Sequence, residues 1–190
     1  MESIYIPIGD SCAVAYNLDK LKIRTMAFPF DWAKFKIKEL NKILENNFKD
    51  YDKIEIVKIS EKHCDLEEFS RPTYIVKNPY NVTMAHELLT LDNLDDFKIK
   101  LTRRIARFYD NLKNKIKFVR LETSCYKSSY IQELDKLIYN LNKICFDYEL
   151  ILICHVSYKD KINHDKVKII YFNDFNEDWR YENIDWQQVI

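Results

Sequence analysis

The chain has 190 residues, 47% hydrophobic and 32% charged, a composition that predicts a folded domain with a sizeable core and excludes a disordered segment. Thirty basic side chains balance thirty acidic ones, which argues against a broad electrostatic surface for nucleic acid or an anionic membrane. The single glycine, Gly9, excludes the G-x-G-x-x-G dinucleotide fingerprint, the phosphate-binding P-loop and the G-x-S-x-G nucleophile elbow, all of which need more than one.

Ile4, Ile6 and Ile8 alternate with Tyr5 and Pro7, which predicts a short strand that Gly9-Asp10-Ser11 ends. Asp10 or Ser11 is placed to cap a helix starting near Cys12, with Val14, Leu18 and Leu21 as its buried stripe. Phe28 to Trp32 is a compact aromatic loop, and Ile37, Leu40, Ile43 and Leu44 mark a helix to about Phe48. A strand is predicted over Ile54–Ile59 and a polar loop over Ser60–Pro72. Tyr74–Val76 and Tyr80–Met84 read as strands around the Asn78-Pro79 turn.

Phe97, Leu101, Ile105, Phe108 and Leu112 predict a long helix from Leu94, with Arg103, Arg104 and Arg107 largely off its apolar stripe as a solvated face. Ile116–Leu121 is a strand, Ser128 or Ser129 opens a helix to Ile144, and Glu149–Val156 and Val167–Phe172 are strands. This order predicts one α/β domain over residues 1–190, a largely parallel or mixed sheet with helices on its faces. Residues 173–190, with Trp179 and Trp186, form a tail expected to pack on it. With one glycine, Asn and Asp must supply most backbone positions of positive φ.

No segment approaches about 20 uninterrupted apolar residues, and the N-terminus carries no leader pattern. Five scattered cysteines without C-x-x-C spacing predict reduced thiols and a cytoplasmic setting. Metal ligation is not expected. His63-Cys64 and Cys154-His155 lack the ligand spacing of a structural zinc site, and no cofactor is implied.

The residues with most chemical promise are Ile8-Gly9-Asp10-Ser11-Cys12. A cysteine at the first turn of a helix faces unpaired amides and the positive end of the dipole, which stabilise a thiolate. The amides of Cys12 and Ala13 are candidate oxyanion donors, with Gly9 and Ser11 beside them. The alternative is a buried structural cysteine beside a turn. Among four histidines, His86 would extend the apolar row Val82, Met84 on one strand face, and His155 ends a later strand. Each could equally be a satisfied structural side chain. Arg120 shares a face with Ile116 and Phe118. There it is either a ligand cation or half of an ion pair, with Asp31 or Glu122 as partner. A non-catalytic module binding an anion at the helix start and Arg120 is the second functional reading. A Gly-Asp-Ser hydrolase with Ser11 as nucleophile is a third, weakened because no Asp-x-x-His follows.

The stretch from Ile8 to Trp32 resembles the opening of a family of papain-like cysteine peptidases found in bacteria, plants and large DNA viruses. The resemblance rests on Gly9, Cys12, Arg24 and Pro29-Phe30-Asp31-Trp32, then His86-Glu87-Leu88, Arg103 to Phe108 and Phe118-Val119-Arg120, in matching order. The family tends to Asp where Glu87 stands. The resemblance implies Cys12 as nucleophile, His86 as general base and Asp31 as orienting acid, with Glu122 second. It implies a peptide or small acyl substrate.

Overall fold

A computed structural model describes residues 3–60, 73–176 and 178–190. The predicted loop over Ser60–Pro72 falls almost wholly outside the described residues, as do His63 and Cys64. Of His86, Glu87 and Leu88 the backbone alone is described.

Four strands form a parallel sheet in the order β1 (Ile4–Pro7), β6 (Ile116–Glu122), β7 (Tyr148–His155), β8 (Val167–Phe172). Its central strands are buried on both faces, which is why β6 and β7 read as near-continuous apolar runs. Even-numbered β6 positions Ile116 and Phe118 meet one core with Leu150, Leu152 and Cys154 of β7. Odd-numbered Val119 and Leu121 meet a second core with Ile151 and Ile153.

Each face has its own cover. On the second core lie α1 (Ala13–Lys20), through Ala13, Val14 and Leu18, and the tail, through Tyr181, Ile184, Trp186 and Val189. On the first lie α2 (Ile37–Glu45), α3 (Leu94–Asn111) and α4 (Ser129–Ile144). Full burial of a Leu or Ile side chain contributes roughly 1.5–3 kcal/mol, so these two faces dominate the stability.

The remaining strands form a separate antiparallel sheet, β2 (Ala33–Lys34), β5 (Thr83–Leu89), β4 (Thr73–Lys77), β3 (Glu55–Ser60), in that order. A single bridge, Asp10 to Phe35, ties it to the end of β1. The predicted strand Tyr80–Met84 starts later, at Thr83. The Asn78 carboxamide accepts from the Tyr80 and Val82 amides and holds Asn78–Val82 in a turn, with Asn81 at φ 62°. The second helix stops at Glu45, where Asn46–Asp50 turn, three of them with positive φ.

Positive φ is supplied by Asn47, Asp50, Asn81 and Asp160, but also by Lys22, Trp32, Phe48 and Tyr181. The expectation that Asn and Asp carry most of it is therefore half met. Phe48 and Tyr181 are buried, and packing holds them in a conformation their own preferences disfavour.

Gly9 adopts φ +79°. A Cβ there would lie 2.7 Å from Phe35 Cζ and 3.2 Å from Arg120 Nη1. Gly9→Ala should therefore cost about 1–3 kcal/mol of stability through strain and overpacking, read as a lower urea midpoint at unchanged m. A midpoint equal to wild type would mean that the turn relaxes freely.

Candidate functional site

The carboxyl end of β1 runs on past Pro7. Ile8 N–H donates to Val119 O and Asp10 N–H to Leu121 O, while Leu121 N–H donates to Gly9 O. The chain then turns through Ser11 into α1, with Cys12 at the helix cap position (φ −62°, ψ −17°). Cys12 is a partly exposed thiol outside any disulfide. The Ser11 hydroxyl accepts from the Ala13 amide at 3.2 Å, so one candidate oxyanion donor is occupied by the neighbouring serine. Cys12 thus sits at the first turn of a helix and at the carboxyl end of a parallel strand, where α/β sheets place their ligands.

The other described cysteines are set differently. Burial pushes the Cys154 thiol up to about 12, with the Glu122 carboxylate adding to the rise. Burial also raises Cys145, whose Sγ–H donates to Leu112 O at 3.3 Å. Cys125 is exposed in the loop after β6.

Arg120 is fully buried. Its Nη1 donates to Ile8 O at 2.9 Å and its Nη2 to Glu122 Oε2 at 3.1 Å. Ser124 Oγ donates to the other Glu122 oxygen. Of the alternatives weighed for Arg120, the structure gives the ion pair with Glu122. Its guanidinium touches no solvent, so it acts on the end of β1 and not on a diffusing ligand. Asp10 is also fully buried. One of its oxygens accepts from Lys36 Nζ at 2.7 Å and Thr123 Oγ1 at 2.6 Å. The sequence reading passed over Asp10 and Lys36 as site residues. The available signal was a carboxylate directly after an apolar strand, where an unpaired charge is costly.

Asp31 is buried and receives two bonds from Arg24, Nε at 2.9 Å and Nη2 at 2.7 Å, on the same oxygen. Burial raises its carboxyl above the ordinary range, against the pull of Arg24 and Arg104. The arginines of α3 support the same loop. Arg104 is buried and Arg107 Nη1 donates to Ala27 O at 2.7 Å. The expected solvated face therefore holds for Arg103 alone, because the other two turn inward onto the aromatic loop. There Phe30 packs with Phe35, Phe48, Tyr51 and Phe108, and Tyr51 OH donates to Pro29 O.

His86 lies on β5 by its backbone. Ala33 pairs with Met84 and Lys34 with Thr83, and the ladder ends there, with Asp31 and Trp32 in the turn that precedes β2. Pairing with β4 slips at this point: Val76 opposes Met84, but Tyr74 opposes Leu89. The regular alternation expected for Val82, Met84 and His86 is thus broken by a bulge, a feature over-represented beside active sites. The segment containing Phe35 and β2 lies between the Cys12 turn and β5.

His155 caps the turn after β7. Its Nδ1 accepts from Ser157 N–H at 3.1 Å, and its ring stacks on Phe175 at 4.8 Å. With Nδ1 an acceptor, the neutral ring carries its proton on Nε2, and neither nitrogen is then open as a base. His164 lies in a loop, where its Nδ1 accepts from Lys166 N–H at 3.2 Å. Among the described residues, no cluster of three or more His, Cys, Asp or Glu could hold a metal. No described helix is long and apolar enough to cross a membrane.

A model of the family described as "Putative papain-like cysteine peptidase (DUF1796)" matches residues 3–157. The chain belongs to this family. The match runs from β1 to just past β7 and leaves β8 and the tail beyond it. A protein of Acanthamoeba polyphaga mimivirus, "Uncharacterized protein R408", is 26% identical over 221 aligned positions, spanning all of this chain and 97% of that one. No solved structure matches. Within the family's opening motif, Arg24 and Asp31 bind one another, so these two positions have a structural reason to occur together.

Arg24→Ala leaves Asp31 with less compensation for its burial, an expected loss of about 3–5 kcal/mol at neutral pH. The Asp31 carboxyl is already raised in the folded state, and without Arg24 it rises further. Its protonated form then favours the fold, so the deficit should shrink as pH falls from neutral towards the ordinary carboxylate range and be gone before that range is reached. Urea titrations of both proteins across acid pH measure this. A deficit independent of pH would assign the loss to packing.

Proposed function

We propose that the chain is a cysteine-dependent hydrolase of a peptide or small acyl substrate, with Cys12 as nucleophile and His86 as general base. The observation that carries this reading is the Cys12 position. It is a partly exposed thiol at a helix start, at the carboxyl end of the parallel sheet, in a family described as cysteine peptidases. Two further observations support His86 over the other described histidines. His155 and His164 each have Nδ1 engaged by a neighbouring amide, while the pairing of Ala33 with Met84 puts the chain leading from Asp31 beside the strand that carries His86.

In this reading Cys12 gives its proton to His86 and its sulfur attacks the acyl carbon. The carbonyl electron pair moves to oxygen, and the helix-start amides of Cys12 and Ala13 stabilise that charge. For this the Ala13 N–H exchanges the Ser11 hydroxyl for the substrate oxygen. The intermediate collapses, and His86 returns the proton to the departing amine or alcohol. Water, deprotonated by His86, then attacks the thioester, releasing the acid and restoring the thiol. Asp31 is the positioning residue for His86, and Glu122 with Arg120 and Gly9 keeps the end of β1 in place. A cytoplasmic setting without nucleic acid, membrane, metal or cofactor is part of this proposal, since the nucleophile works as a reduced thiol.

Incubation with a limiting acyl-type electrophile followed by peptide mapping tests the assignment. Cys12 should be modified before Cys125, although Cys125 is the more exposed, and His86→Ala should slow Cys12 alone. Modification in order of exposure would sink the proposal.

A further inference from the structure

A second site lies on the opposite face of the parallel sheet from α1. A cleft of about 390 Å³ opens between the starts of α2 and α4, beyond the carboxyl end of β6. Tyr130, Tyr158 and Ile37 give it an apolar wall, and Lys36, Lys38 and Lys127 line it as cations. Its two acids are already engaged. Glu122 accepts from Arg120 and Ser124, and Glu133 accepts from Asn41 at 2.7 Å. Lys36 is held by Asp10 and Lys38 lies 3.6 Å from Glu39, whereas Lys127 makes no ion pair among the described residues.

Two independent features point to a ligand here. The start of α4 has no side-chain cap and no acid in its first turn, so no first-turn side chain offsets its dipole, although the Tyr130 N–H donates to Lys127 O at 2.9 Å. Beside it, the Tyr130 hydroxyl is buried next to the Arg120 guanidinium, which can only donate, so no described group accepts its proton. A buried hydroxyl whose proton has no acceptor is destabilising, and a bound acceptor removes that cost. Burial holds this phenol well above its usual range, so it stays a donor.

We propose that this cleft binds a small organic oxyanion, a phosphomonoester or carboxylate with an apolar body. The oxyanion meets the α4 amides, Lys127 and the Tyr130 hydroxyl, and the body lies along Tyr158 and Ile37. The cleft adjoins the Cys12 turn through Glu122 and the Lys36–Asp10 ion pair, while α1 itself packs on the other core. It does not depend on the hydrolase reading.

Cys125 lines the cleft and reports occupancy. In full-length Cys12→Ser protein, the alkylation rate of Cys125 is followed by peptide mapping with phenyl phosphate, benzoate or phenol as probe. Saturable protection by phenyl phosphate or benzoate, and not by phenol, is expected, and the stronger of the two names the oxyanion class. Lys127→Ala, a surface change, should weaken protection about tenfold, and Tyr130→Phe should weaken it without loss of fold. Absence of saturable protection, equal protection by phenol, or protection undiminished in Lys127→Ala would overturn the proposal.

Discussion

One buried cation organises the end of the sheet where the candidate chemistry lies. Arg120 enters from β6, donates to the carbonyl of Ile8 on β1 and is neutralised by Glu122 two residues on. A buried guanidinium is tolerable only when its donors and charge are met. The geometry of β1 is therefore not independent of β6, because moving Ile8 would strand the charge. The Gly9 turn follows directly, and it lacks a Cβ because Phe35 and Arg120 already fill that space. Asp10 then bridges to Phe35 and accepts from Lys36 and Thr123, fastening the antiparallel sheet and the start of α2 to the same point. Cys12, two residues later, inherits its position from this chain of contacts.

The family's opening motif acquires a physical meaning from the same contacts. Arg24 and Asp31 clamp the loop that delivers Phe30 into an aromatic cluster, and that loop leads into β2. β2 in turn pairs with the start of β5, the strand that carries His86. A motif of this kind is retained through geometry, and its residues matter to function by placing others.

Much of this was legible in the chain itself. Val167–Phe172 and the helix from Ser129 to Ile144 lie where their apolar periods put them, since local pattern and tertiary burial agree there. The charge on the Ile116–Phe118 face of β6 calls for a counter-ion, and Glu122, on the same strand face two residues on, supplies it. What was not legible depended on contacts distant in sequence. The two-residue strand β2 has no period of its own, so the split into two sheets was hidden. Arg104 and Arg107 read as solvated until the aromatic loop closed over them. The slip in β5 leaves no sequence mark, because the five steps from Met84 to Leu89 against two on β4, Val76 to Tyr74, show only once the strands are paired.

The central claim is that Cys12 and an imidazole act as one unit at the end of β1. The pH profile of the Cys12 alkylation rate tests it most directly, measured in wild type and in His86→Ala. Coupled titration gives a profile with two steps, the lower one from thiolate held by imidazolium. The account predicts that the lower step disappears in His86→Ala and that a single thiol titration remains. An identical two-step profile in the variant, or a single unperturbed thiol titration in both, would contradict it.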